Sequence, residues 1–125
     1  MIVCPEHDGL EGNNVIKTIG AIHYLTDKEI SKEKNYLKID KENKKIVAFI
    51  LGGPNKYYSF SEKEIDYLFN KIKSIFTRDK YKLVVIPSYR TPFDIIKKAF
   101  NSFGHDHLVI KEVDKKAYLS ALSIS

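Results

Sequence analysis

The sequence predicts an α/β fold built on a parallel sheet, and three observations carry that expectation. Residues 46–51 are a nearly unbroken apolar run, the pattern of a strand covered on both faces, and residues 83–86 are a second. Each run leads through a loop into a stretch whose apolar residues recur at helical spacing. A third extended segment and a further helical pattern follow, so the order is strand, helix, strand, helix, strand, the order of βαβ units joined by right-handed crossovers.

The elements can be justified in turn. Residues 1–4 read as the tail of a strand and residues 14–19 as another short extended piece. Thr26-Asp27-Lys28-Glu29 has the form of a capping box for a short helix, and a charged stretch over residues 31–45 follows it. Ser61-Glu62-Lys63-Glu64 is a second capping box, opening a helix whose apolar face is Ile65, Leu68, Phe69, Ile72 and Phe76. Thr91 is placed to cap the next helix with Pro92 at its first position, a favoured site for proline. Its expected apolar face is Phe93, Ile96, Ala99, Phe100 and Phe103, and Gly104 ends it. Residues 107–113 are the expected third strand, and a last helix starts at Lys115. The chain therefore divides into residues 1–44, a remnant of a preceding domain plus a linker, and residues 45–125, a Rossmann-like α/β domain. With only short fragments before residue 45 and a helix still running at Ser125, it reads as incomplete at both ends.

Composition limits the function classes. A chain of 125 residues with 43% apolar and 30% charged residues is globular and can bury roughly two-thirds of its unfolded surface. No apolar run approaches the ~20 residues of a membrane span, and the first residues lack the pattern of a signal peptide. The single Cys4 forms no internal disulfide and fits a reducing compartment, so the cytoplasm is the expected location. The net charge of +5 comes from 19 Lys and two Arg spread along the chain. Scattered lysine of this kind reads as the coding bias of an A+T-rich genome and sets solubility, so no nucleic-acid partner is expected.

Chemistry concentrates in the two loops that leave the apolar strands, where open α/β sheets bind ligands. In Gly52-Gly53-Pro54-Asn55-Lys56-Tyr57-Tyr58, the bare glycine amides can form an anion nest and Lys56 can add a charge. The plain alternative is a tight turn with a solvated lysine, since Gly-Gly-Pro-Asn is also good turn chemistry. Tyr57 and Tyr58 suit stacking on a base or sugar, or packing against the next helix. In Ser88-Tyr89-Arg90-Thr91-Pro92, a helix start beside a planar guanidinium suits phosphate. Ordinary capping, with Arg90 paired to a surface carboxylate, is the alternative there. Glu6-His7-Asp8 sets an imidazole between two carboxylates, which suits general-base work or a plain surface turn, and His7 is the weak catalytic candidate. His105-Asp106-His107 offers too few ligands for zinc, so no metal is assigned, and no motif calls for a cofactor.

These loops, together with Pro5-Glu6-His7-Asp8, Asn14-Val15-Ile16, Gly20-Ala21 and Tyr118-Leu119, resemble the elongated-mitochondria (mitochondrial fission) family of plants and many bacteria. The pairing of the glycine-proline-lysine-tyrosine stretch with Ser-x-Arg-Thr-Pro carries the resemblance. Members of that family look like GT-B glycosyltransferases, with two Rossmann-like domains facing a cleft. The resemblance implies a nucleotide-sugar or other phosphorylated ligand at Gly52, Gly53, Lys56, Ser88, Arg90 and Thr91. It also implies an Asp-Ser-rich loop beyond the position of Ser125, which would complete the nucleotide side of the cleft. Where members usually carry Asn-Pro before the tyrosine matching Tyr118, this chain has Lys116-Ala117.

Two readings stay open at this point. In one, the chain is a non-catalytic fragment of a protein whose intact form would bind the nucleotide-sugar or other phosphorylated ligand, and it self-associates or pairs with a complementing chain. In the other, it is an active sugar-nucleotide-binding, glycosyltransferase-like protein, alone or with a partner.

Overall fold

A computed structural model describes residues 1–125 and contains two small parallel sheets. The first joins β1 (Ile2–Pro5) to β2 (Val15–Thr18), with Ile2 opposite Val15 and a short 3-10 turn (Glu6–Asp8) after β1. The second has the order β3-β4-β5, formed by β3 (Lys45–Leu51), β4 (Tyr81–Pro87) and β5 (Leu108–Val109). Helices α1 (Asp27–Lys32), α2 (Glu62–Ile75), α3 (Phe93–Phe103) and α4 (Lys115–Ile124) complete a Rossmann-like α/β arrangement. No helix is long and apolar enough to cross a membrane.

Strand alternation explains the unbroken apolar runs. Along β4, Leu83 and Val85 face one side of the sheet, where they pack with Ile65 and Phe69 of α2 and with Ile95, Ala99 and Phe103 of α3. Val84 and Ile86 face the other, against Ala121 of α4 and the partly buried Leu37 and Ile39. All four of these β4 residues are buried, because each face has its own helical cover. Phe49, Phe69 and Phe103 meet edge to face in the first cluster, with centroids 5.0–6.3 Å apart.

Both expected capping boxes form. The Thr26 hydroxyl accepts the Glu29 amide, the Ser61 hydroxyl accepts the Glu64 amide, and each glutamate reaches back to its cap. The hydroxyl and amide of Ser61 hold the Glu64 carboxyl below its ordinary value.

Three local expectations need correction. Thr91 does not cap α3. Pro92 occupies the cap position without a side-chain hydrogen bond, and the helix begins at Phe93. The buried face of α3 is Ile95, Ile96, Ala99 and Phe103, while Phe93 is 78% exposed and Phe100 41% exposed. Ile95, Ala99 and Phe103 share one i, i+4, i+8 line, and the apolar arc is wider than the surface that meets the sheet, so Phe93 and Phe100 fall on its flank. Lys111 covers the Phe100 ring, its Nζ 4.1 Å from the centroid.

The third strand is shorter than residues 107–113, for a reason visible in the ladder. The amide of Leu83 points to this side and reaches His107 Nδ1 at 3.4 Å, and the carbonyl of Val85 accepts the Ile110 amide at 2.9 Å. The next residue in that alternation is Pro87, which has no N–H to extend the pairing.

Candidate functional site

The carboxyl ends of β3 and β4 are tied together by one threonine. Thr91 is buried, and its hydroxyl proton is shared between the carbonyls of Leu51 (2.8 Å) and Gly52 (2.9 Å). The same oxygen accepts the Ser88 amide at 2.9 Å and lies 3.2 Å from the Ser88 hydroxyl. The Ser88 amide also reaches the Leu51 carbonyl at 3.2 Å, and the Thr91 amide closes the turn on the Ser88 carbonyl at 2.9 Å. Carbonyls at the end of a buried strand need donors, and Thr91 supplies one where the ladder stops. This demand takes the hydroxyl away from the helix start.

The first three amides of α3, those of Phe93, Asp94 and Ile95, consequently meet no acceptor in the protein. The other three helices are capped by Thr26, Ser61 and Asp114. Arg90 stands exposed beside this end and makes no ion pair, whereas Arg78 reaches Asp106 at 3.4 Å. The Arg90 amide donates to the Ser88 hydroxyl at 3.3 Å.

The two glycines differ sharply. Gly53 presses against the Arg90 backbone, so its lack of a side chain serves the contact between the two loops. Gly52 faces open space, and its amide has no acceptor in the protein. Gly52, Gly53, Ser88, Arg90 and Thr91 are therefore brought together. Lys56 lies further along the same loop. Its ammonium lies over its neighbour Tyr57, 4.7 Å from the ring centroid. The following loop is closed on itself, because Asn55 Oδ1 accepts the amides of Tyr57 and Tyr58 at 2.8 and 2.9 Å. Those two amides are used up and offer nothing to an anion. His7 is exposed on the 3-10 turn after β1, 3.6 Å from Asp8.

Beside the Ser88 turn lies a cavity of about 360 Å³ that the loop motifs alone do not reveal. Ile50, Pro87 and Leu119 form apolar wall, and Tyr24, Tyr89 and Tyr118 surround it, with Ser88 and Lys115 at the polar edge. Lys115 Nζ donates to the Tyr24 hydroxyl at 2.8 Å, which raises the lysine's pKa above its ordinary value. Burial pushes the Asp114 carboxyl up, but the amides of Ala117 and Lys116 and the Tyr36 hydroxyl outweigh it and hold the group below the usual range. Tyr24 sits 91 residues before Lys115 in the chain, so no local motif could have paired them.

The comparisons bear on this architecture as a whole. No curated protein and no solved structure matches the chain. A family model described as mitochondrial fission ELM1 matches residues 1–125, so the chain belongs to the mitochondrial fission ELM1 family.

Proposed function

We propose that the chain binds a nucleotide-sugar or another phosphorylated ligand at the junction of Gly52, Gly53, Ser88, Arg90 and Thr91, and binds it without turning it over. The observation that carries this reading is the open N-terminus of α3 beside an unpaired Arg90. A phosphate supplies the acceptors that the first-turn amides lack, and the helix dipole favours it by about 0.3–1 kcal/mol at an exposed end. Arg90 adds a planar fork of donors matched to phosphate oxygens. Gly52 leaves room for close approach from the β3 side, and its amide is a further free donor. Asp94, exposed in the same first turn, is the opposing charge, and its removal is expected to tighten phosphate binding.

Binding without turnover is favoured by the acid–base inventory. The Asp114 carboxylate is committed to capping α4 and to Tyr36, and His7 has only Asp8 as an ionic neighbour. The second reading is a GT-B-like glycosyltransferase, alone or with a complementing chain, in which the same donors would stabilise charge on a leaving diphosphate. A complementing chain or second copy is supported by the two-stranded first sheet, whose strands pair with no other strand, and by Ile19, which is 98% exposed.

Calorimetric titration of the full chain with inorganic pyrophosphate and with a panel of nucleotide-sugars tests the proposal. Binding that falls about tenfold or more in Arg90→Ala, with an unchanged melting temperature, is the expected result. A folded chain that binds none of these probes overturns it. Release of free sugar or sugar transfer during the titration would favour the second reading.

A further inference from the structure

We infer that the cavity between Tyr24, Tyr89 and Tyr118 is a base-binding subsite, taking the flat ring of a nucleotide whose phosphates lie on Arg90 and the start of α3. The inference rests on the phosphate-binding reading above and adds to it a second, separate set of contacts. Its starting point is position. The cavity opens at the carboxyl end of the parallel sheet, where Ile50 of β3 and Pro87 of β4 form part of its wall. Ser88 lines it, and Arg90 is two residues further along the same turn, a reach of at most about 7 Å. One ligand can therefore touch both if a short spacer, such as a single ribose, separates its ring from its phosphate.

Size and lining narrow the class. A volume of about 360 Å³ is near the lower end of the ~300–1,000 Å³ common for small-molecule sites, enough for one ring system and its sugar. Leu119 and Pro87 are buried and make a fixed apolar floor. Tyr24 and Tyr89 stand at the mouth, and Tyr89 is 92% exposed. Exposed aromatic faces around an apolar floor suit a planar, weakly polar ring, because stacking needs only a π-face.

The charged groups at the edge fit the same class. The Asp114 carboxylate is turned to its three donors and does not confront a ring edge with unpaired negative charge. Lys115 Nζ uses one hydrogen on the Tyr24 hydroxyl, and the remaining two can meet ring carbonyl or nitrogen acceptors.

The test uses the full chain and calorimetric titration with pyrophosphate, with uridine and adenosine diphosphates, and with the free nucleosides. The diphosphates are expected to bind about tenfold or more tightly than pyrophosphate. Tyr89→Ala and Tyr24→Ala are expected to erase that advantage while leaving pyrophosphate affinity unchanged. Both tyrosines are exposed, so both variants should melt with the wild type, and the Tyr118 ring resonances should shift on adding nucleotide to the unaltered chain. Diphosphates no tighter than pyrophosphate, or an advantage indifferent to both tyrosines, overturn the inference and leave the phosphate site standing. Nucleoside binding that depends on Tyr89 while pyrophosphate fails to bind supports the base subsite and removes the phosphate reading. An anilinonaphthalene dye that occupies the cavity, with no nucleoside able to displace it, overturns the inference in favour of an apolar ligand.

Discussion

Gly53 lies flat against the backbone of Arg90, so close that a β-carbon on the glycine would stand 1.7 Å from the arginine carbonyl oxygen. Backbone cannot rotate away as the tip of a side chain can, so the two loops must separate if residue 53 gains a methyl group. Gly53→Ala is expected to cost about 1–3 kcal/mol, the usual range for overpacking. Gly52→Ala should stay within about 0.5 kcal/mol of the wild type, because the position faces open space. Urea denaturation of the two variants checks the contrast, and equal stabilities would sink it.

Thr91→Val keeps the shape of the buried side chain and removes its hydroxyl. The carbonyl of Gly52 loses its donor, and the Ser88 amide loses its shorter bond. The expected cost is about 1–3 kcal/mol, with Thr91→Ser recovering most of it. A valine variant as stable as the wild type would show that Thr91 does not hold the two strand ends together.

Ser120 is fully buried on α4, where its hydroxyl accepts the Leu37 amide at 3.1 Å and faces the Lys34 carbonyl at 3.4 Å. Ser120→Ala should leave both backbone groups unpaired and loosen the segment around residues 34–39. Faster amide hydrogen exchange at Leu37 is the expected readout, with exchange in the β4 core unchanged at moderate denaturant. Unaltered protection at Leu37 would contradict this account.

Burial holds the His107 imidazole below its ordinary pKa of 6.5, and Lys82, Lys44 and Lys73 add to the effect while Asp106 opposes it. A depressed folded-state value means that the unfolded chain binds the proton first as pH falls. The stability this group contributes is therefore fully present above pH 6.5 and is lost as pH falls through the lower folded-state value. His107→Asn, which retains an acceptor for the Leu83 amide, should flatten the loss between neutral pH and about pH 5, before the carboxylates titrate. Denaturation midpoints across that range measure it. A mutant whose midpoint falls as steeply as the wild type would refute the assignment to His107.

Much of the frame was readable from local pattern. The capping boxes at Thr26 and Ser61 are read within four residues, and so are the apolar runs of β3 and β4, because each depends on near neighbours. The cap of α3 is not legible locally, because Thr91 has two uses open to it. Its choice depends on carbonyls some 39 and 40 residues earlier in the chain, at Gly52 and Leu51. The buried face of α3 is hidden from local pattern for a related cause, since Phe93 and Phe100 satisfy the same periodicity as Ile95 and only the width of the sheet beneath decides between them.

The amino-acid sequence by itself determined the parallel α/β frame, the starts of α1, α2 and α4, and the two loops at the strand ends. Period-2 and period-3.6 burial and side-chain capping act over a few residues, and the chain carries them wherever it goes. Only the tertiary structure decided that Gly53 serves a loop contact while Gly52 stays open, that the Thr91 hydroxyl goes to the carbonyls of Leu51 and Gly52, and that Tyr24 joins Tyr89 and Tyr118 around one cavity. Which donor meets which acceptor, and which ring faces which wall, depends on distances between residues far apart in the chain, and these exist only once it has folded.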